Sequence, residues 1–279
     1  MTPIRNQISN GASFKYVDAH CHIQFEQYAR DDIELIERMR EEGVAGIVVG
    51  VDLESSKKAV ELAEKHEHLF ASVGLHPNRV TGEIFNAEKY CELAKNKKVV
   101  AIGECGLDYY RPAEVNDEVK NKQKEILQRH IALAIELGKS LIIHARPSKG
   151  KMDAYQDLCS ILQKTKMEFP KLRGDIHFFV GGVKEAEALI ALGFTISFTA
   201  VITFARDYDE IIRTVPLTSI LSETDAPYVA PISRRGRRND PLAAIDVVEK
   251  IAEIRNESLE TVRATLLSNA RELFSLPAP

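Results

Sequence analysis

The chain has no tryptophan, only four cysteines, and no apolar run of eighteen residues. Without such a run a membrane-spanning helix is not expected. Cys21, Cys91, Cys105 and Cys159 are scattered and form no C-x-x-C pair, which argues against a disulfide framework or a thiolate zinc site and fits reduced thiols in the cytoplasm. A large positive charge is also missing: 37 Lys and Arg against 41 Asp and Glu leave a net charge of −4. Strong sequence-independent binding to duplex DNA is therefore not indicated, although a local basic patch remains compatible with that balance. The first thirteen residues, MTPIRNQISNGAS, lack the apolar core of a signal peptide and read as a flexible lead-in (1–13). No repeat, low-complexity tract or Pro/Gly/Ser linker divides the rest, so 14–276 reads as a single domain.

Short runs rich in Val and Ile alternate with longer helical patterns. Strands are expected at 15–18, 44–50, 69–75, 98–103, 140–143, 175–178, 194–198 and 218–222. Helices are expected at 31–42, 54–66, 117–137, 152–167, 184–192, 205–214, 241–255 and 259–274, with the weakest pattern at 87–94. Gly43 and Gly138 stand where helix stops belong, and Ser258 with Glu260 marks a helix start. Eight strands, each followed by a helix, match an α/β (β/α)8 TIM barrel, with a doubly wound open sheet as the alternative.

Barrel enzymes carry their chemistry at the C-terminal ends of the strands. The first strand leads into DAHCH, where His20 and His22 occupy alternating positions and share a face, with Ala19 and Cys21 pointing away. Later strand ends supply His76 in VGLHP, Glu104 with Asp108 and Arg111 in GECGLDYYR, and His144 with Arg146 in HARP. His177 follows in DIHFF, and Glu223 with Asp225 in ETDAPY. Of eight histidines, five fall at these ends, while His66, His68 and His130 lie in or beside helices. His130 shares an apolar face with Leu127, Ile131 and Ala134 and reads as a core histidine. Each of the others has an ordinary alternative: His76 a turn hydrogen bond, Asp225 a helix cap, and Glu104 a buried pair with arginine. Tyr109 and Tyr110 stack on a base or pack under a loop.

Four imidazoles and two carboxylates (His20, His22, His144, His177, Glu104 and Asp225) exceed the needs of one tetrahedral ion. They suit two divalent ions sharing one carboxylate, for which Glu104 is the candidate, and Asp225 is placed to ligate and to deprotonate water. The implied reaction is metal-assisted hydrolysis. Mixed nitrogen and oxygen donors favour Zn or Mn over Mg on ligand preference. Arg111 and Arg146 follow ligand-bearing strands, and RRGRRND places Arg234, Arg235, Arg237 and Arg238 after the eighth, together suggesting an anionic substrate. An exposed charged loop is the plainer reading of that last cluster.

In combination and order, DAHCH, VGLHP, IGECGLDYYR, LIIHARP, IHFF…GG and ETDAPY resemble the TatD-type metal-dependent deoxyribonucleases, from about Tyr16 to Phe274. The resemblance implies a TIM barrel that hydrolyses phosphodiesters with divalent metals, Mg among them. Its expected substrate is single-stranded DNA or frayed ends, cut in the 3′–5′ direction. It places His20, His22, Glu104 and Asp225 on one metal and Glu104, His144 and His177 on the other, with His76 contacting substrate or assisting the chemistry. Three local departures concern substrate preference more than metal binding: His177-Phe178-Phe179-Val180-Gly181 lacks the family's serine, Pro147 follows Arg146, and Asp240 replaces a glutamate. A two-metal hydrolase of another small ester, amide or phosphoester is the alternative within the enzymes. A metal-binding interaction protein with little catalysis is the alternative outside them.

Overall fold

A computed structural model describes residues 14–111 and 115–277, so the expected lead-in at 1–13 lies outside the described residues. Eight strands pair in parallel in chain order. They are β1 (Tyr16–Cys21), β2 (Val44–Val49), β3 (Leu69–Val73), β4 (Val99–Asp108), β5 (Ser140–Arg146), β6 (Gly174–His177), β7 (Thr195–Phe198) and β8 (Ile220–Ser222). Helices α1 (Asp32–Glu42), α2 (Leu53–Lys65), α3 (Ala87–Ala94), α4 (Asp117–Leu137), α5 (Asp153–Glu168), α6 (Val183–Ala191), α7 (Asp209–Thr214), α8 (Ala243–Arg255) and α9 (Leu259–Phe274) alternate with them. The result is a (β/α)8 barrel, and the open doubly wound sheet is set aside.

Local chemistry explains where the helices begin and end. Asp52 caps α2 by accepting from Ser55 N, Asn116 caps α4 and Ser258 caps α9. Gly43 and Gly138 terminate α1 and α4 at φ 71° and 63°, left-handed values that glycine adopts without steric penalty. Among the helices the least accurate expectation is the seventh, which occupies only Asp209–Thr214 because loop and turn residues fill 204–208.

Two apolar layers follow from the strand period. Ala45, Ile47 and Val49 of β2 face one cluster with Val17, Ala19, Ala101, Ile142 and Leu221, which α9 closes with Ala270, Leu273 and Phe274. Val44 and Val48 face the other layer, between the strands and the surrounding helices. Strict alternation fails in β1, whose register against β2 shifts between Asp18 and Cys21. Ala19 consequently belongs to the inner cluster and Cys21 to the outer one, although both were expected to point away from the histidines together.

The seam between β8 and β1 is closed by side chains and loop backbone. Thr224 donates to Asp18 through its N (3.0 Å) and Oγ1 (2.6 Å), Ser222 Oγ donates to Val17 O, Asp225 N donates to His20 O, and His22 N donates to Ala226 O. Asp18 is therefore a seam residue, fully buried.

Candidate metal centre and substrate cavity

Glu104 lies within β4, not beyond its end, because β4 continues to Asp108. It approaches β5 closely there: a Cβ at Gly106 would sit 2.0 Å from His144 O, so only glycine fits beside the centre. Around the Glu104 carboxylate, itself 3% exposed, the strand-end histidines converge. Oε1 lies 2.9 Å from His177 Nε2, 3.0 Å from His144 Nδ1 and 3.2 Å from His76 Nε2, while Oε2 lies 3.5 Å from His20 Nε2. Asp225 Oδ1 lies 3.4 Å from His22 Nε2 and 3.9 Å from His20 Nε2, and the Nε2 atoms of His20 and His22 are 3.2 Å apart. Asp225 adopts φ 51°, a conformation that carboxamide and carboxylate residues tolerate better than most, and this turns it into the cavity.

The outer nitrogens decide which ring atoms face inward as lone pairs. His22 Nδ1 meets Val49 O at 2.8 Å; a carbonyl only accepts, so the proton is on Nδ1 and Nε2 is left as a lone pair. His177 Nδ1 pairs with Glu223 Oε2 at 3.2 Å, and His144 Nε2 with Asp108 Oδ2 at 3.2 Å, with the same consequence for their inner nitrogens. Carboxylate–histidine pairs of this kind orient metal-binding imidazoles. His76 differs. Its Nδ1 accepts from Asn78 N at 3.0 Å, so the neutral ring carries its proton on Nε2, where it donates to Glu104.

With the rings neutral, the inner lone pairs of His22, His144 and His177 face carboxylate oxygens with no proton between them, in two groups that share Glu104. One comprises His20, His22, Asp225 and Glu104, and the other His144, His177 and Glu104. Such groupings are unfavourable unless a cation occupies their midst. His20 Nδ1 finds no hydrogen-bond partner among the described residues, so no outer contact fixes which of its nitrogens carries the proton. The donor set therefore fits divalent metal. His76 also lies near Glu104 and His144, and Glu223 near His20 and His177. His76 presents a proton, however, and both Glu223 oxygens are taken: Oε1 accepts from Phe178 N and Ser197 Oγ, Oε2 from His177.

Where no metal ion neutralises these groups, protons do so in its place. Burial raises the Glu104 carboxyl, but His76, His177 and His20 override it and hold it well below the usual carboxylate range. Burial opposes protonation of His177, and the charges of Glu104 and Glu223 reverse that and raise it well above the ordinary histidine value. Asp175 extends the chain inward: burial, then the charge of Glu223, pushes it up to about 7, with Ser197 Oγ 2.5 Å away.

The centre floors a cavity of about 770 Å³ lined by Arg111, Arg146, Lys149, Lys151, Tyr110 and Tyr228, among others. Arg111 and Arg146 are therefore brought to the site. Arg237 and Arg238 are not: Arg238 pairs with Asp31, donates to Gln27 O at 2.6 Å and covers the Tyr28 ring, while Arg237 is exposed outside the cavity. Arg234 pairs with Asp240 and Asp246, and Arg235 stacks on Phe204. Most of that cluster folds the loop after β8, and nearby acidic side chains neutralise Arg234 and Arg238. His130 is a satisfied core residue, with Nδ1 donating to Ile126 O and Nε2 accepting from Leu75 N. Tyr109 packs beneath the loop with its hydroxyl on Asp157. Sequence reasoning named Asp108 and Glu223 without roles and passed over Asn78, Ser197, Lys149 and Lys151. The pair of lysines was detectable as SKGK directly after HARP.

A (β/α)8 barrel with imidazoles and carboxylates converging at its strand ends defines a class, the metal-dependent hydrolases of barrel fold. Within it, residues 17–275 match the model of the TatD related DNases, and the chain belongs to that family. It is 35% identical over 265 residues to an uncharacterised metal-dependent hydrolase, YabD, of Bacillus subtilis, covering 93% of this chain and 98% of the relative. It is 33% identical over 261 residues to the 3′–5′ ssDNA/RNA exonuclease TatD of a Pantoea species, covering 90% and 95%. The crystal structure of YjjV, a TatD homologue from Escherichia coli, superposes with a TM-score of 0.84 at 28% identity, covering 94% and 99%. Among the described residues, no helix is long and apolar enough to cross a membrane.

Proposed function

We propose that the protein hydrolyses phosphodiester bonds of single-stranded DNA or frayed ends, in the 3′–5′ direction, with two divalent ions. The observation that carries this reading is the sharing of Glu104 between two groups of inward lone pairs. His20, His22, Asp225 and Glu104 would hold one ion, and His144, His177 and Glu104 the other. Bound there, divalent ions supply Lewis-acid polarisation of a phosphoryl oxygen and acidify water.

The chain's own residues contribute the rest. Asp225 faces the cavity and is placed to take a proton from the attacking water. Its carboxyl is raised by burial, but the imidazoles of His22, His20 and His177 beside it lower it below the usual value, so it stands ready, ionised, as a base. His76 Nε2–H is held by the Asn78 contact as a donor toward a substrate oxygen. Arg111 and Arg146 place positive charge where phosphates would lie.

Depth selects the form of the substrate. The Glu104 carboxylate is nearly inaccessible at the base of the cavity, which favours a flexible single strand over the broad, stiff duplex. The name of the Pantoea relative agrees with strand form and polarity. The decisive experiment follows cleavage of a labelled single-stranded oligonucleotide by metal-depleted protein, alone and with Mg, Mn or Zn restored. The expected results are no cleavage without metal, recovery with it, and joint loss of metal and activity in a folded Glu104→Ala variant. Turnover by protein shown metal-free by elemental analysis would overturn the proposal.

A further inference from the structure

One wall of the cavity has features that the metal centre does not use. Tyr109 and Tyr110 are adjacent, yet Tyr109 is 3% exposed and Tyr110 is 51% exposed. The Arg146 guanidinium covers one face of the Tyr110 ring at 4.4 Å. Beside them stand Arg111, Lys149 and Lys151, and none of these four cations has a carboxylate within 4.0 Å among the described residues. Arg79, elsewhere on the cavity lining, is in contrast paired with Asp52 and Glu83. On a chain of net charge −4, a group of cations on one wall that have no carboxylate partner among the described residues is a departure that calls for an anionic occupant.

The wall is also pre-organised. Asp108 Oδ1 accepts from Tyr110 N and Arg111 N, both at 2.9 Å, while its Oδ2 holds His144. One carboxylate therefore fixes the aromatic platform relative to a residue of the centre. Ser148 anchors the loop after β5, with N on Asp153 Oδ1 (2.9 Å), Oγ on Asp153 Oδ2 (2.8 Å) and O accepting from Lys151 N. Side chains on such a loop lose little further backbone freedom when a ligand arrives.

We infer that this wall is a nucleotide subsite outside the metal centre, in which a nucleobase stacks on the Tyr110 ring backed by Arg146. The flanking backbone phosphates lie on Arg111, Lys149 and Lys151. The inference rests on the nuclease reading and adds that the bases, and not the phosphates alone, contribute to affinity. Aromatic platforms beside a basic groove bind single strands with little sequence preference, because every base has a π-face.

The test measures binding, so it stands independently of turnover. Fluorescence anisotropy in EDTA would compare a labelled oligothymidylate with an abasic oligomer of equal phosphate number, on the wild type, Tyr110→Ala, Tyr110→Phe and Lys149→Ser/Lys151→Ser. The wild type should prefer the base-bearing strand by roughly 5- to 150-fold, the range for one base–aromatic stack. Tyr110→Ala should abolish that preference and leave abasic binding unchanged, and Tyr110→Phe should retain it. The double lysine variant should weaken both strands and reduce the salt slope by about 0.7 per lost phosphate contact. Equal binding of the two strands by the wild type, or an equal loss on both in Tyr110→Ala, would overturn the subsite. Failure of the metal-restored wild type to cleave a nitrophenyl phosphodiester while base-dependent binding persists would instead sink the hydrolytic reading.

Discussion

Glu223→Gln tests whether outer hydrogen bonds set the chemistry of the centre. Glu223 is fully buried, and glutamine keeps its shape. The retained oxygen can still accept from Phe178 N and Ser197 Oγ, which places the new NH2 group against His177 Nδ1. An amide donor is satisfied there only by a lone pair, so the neutral ring moves its proton to Nε2, toward Glu104 Oε1 at 2.9 Å. His177 then presents a donor where a cation belongs. Loss of such an orienting partner lowers metal affinity by about 10- to 100-fold. That corresponds to about 1.4–2.8 kcal/mol. Titration of metal-free protein with Zn or Mn against a chromophoric chelator measures it, with circular dichroism confirming the fold. Asp175→Asn is the control. Asp175 touches no imidazole of the centre and lies one hydroxyl further out, with Ser197 Oγ 2.5 Å from it and 2.7 Å from Glu223. Asparagine keeps a polar partner for Ser197 there and should leave affinity nearly unchanged. Wild-type affinity in Glu223→Gln, or equal damage from both substitutions, would refute the reasoning.

Two further predictions concern residues away from the candidate centre. Burial holds His130 at about 4 against an ordinary 6.5, so as pH falls through that window the unfolded chain binds a proton that the folded chain refuses. About 3 kcal/mol of stability should be lost between pH 6.5 and 4, and denaturant titrations should show the gap between wild type and His130→Gln narrowing by that amount; parallel curves would contradict it. Arg238→Ser should lower the melting temperature and leave oligonucleotide affinity nearly intact, because Arg238 joins Asp31, Gln27 O and Tyr28, whereas Arg237→Ser should leave the melting temperature unchanged; an affinity loss in Arg238→Ser without loss of stability would return that residue to the substrate.

The barrel was legible because buried parallel strands read as apolar runs, and the helix stops at Gly43 and Gly138 have a steric cause visible in one residue. The converging histidines were legible because barrel topology brings distant strand ends to one mouth. Strand limits were less so: β4 runs to Asp108, past Glu104, since pairing with β5 continues through Gly106 to Asp108 opposite Arg146. Pairing depends on the partner strand, which periodicity within one segment cannot report. The same limit affected the arginine cluster after β8. Four basic residues in sequence suggest free charge, but whether Arg238 meets a phosphate or Asp31 depends on a contact across 207 positions. The shift in β1 was likewise invisible, since alternation alone assigns Ala19 and Cys21 to the same side.

That shift links the fold to the centre. A parallel barrel must close between its first and last strands, and here β8 is only Ile220–Ser222, too short to do so by an extended ladder. Closure passes to the residues just beyond it: Thr224 on Asp18, Asp225 N on His20 O, and Ala226 O on His22 N. Those contacts fix the backbone of three residues that face one half of the centre, His20, His22 and Asp225. The other half, Glu104, His144 and His177, sits on β4, β5 and β6, where pairing of β4 with β5 resumes at Cys105 opposite Ile143 after a register shift at Glu104, and pairing of β5 with β6 runs unbroken to His144 opposite His177. One half of the site therefore inherits its geometry from the sheet and the other from the seam. Loosening the seam at Asp18 or Thr224 should accordingly disturb the His20, His22 and Asp225 group first, while the group on β5 and β6 keeps its shape.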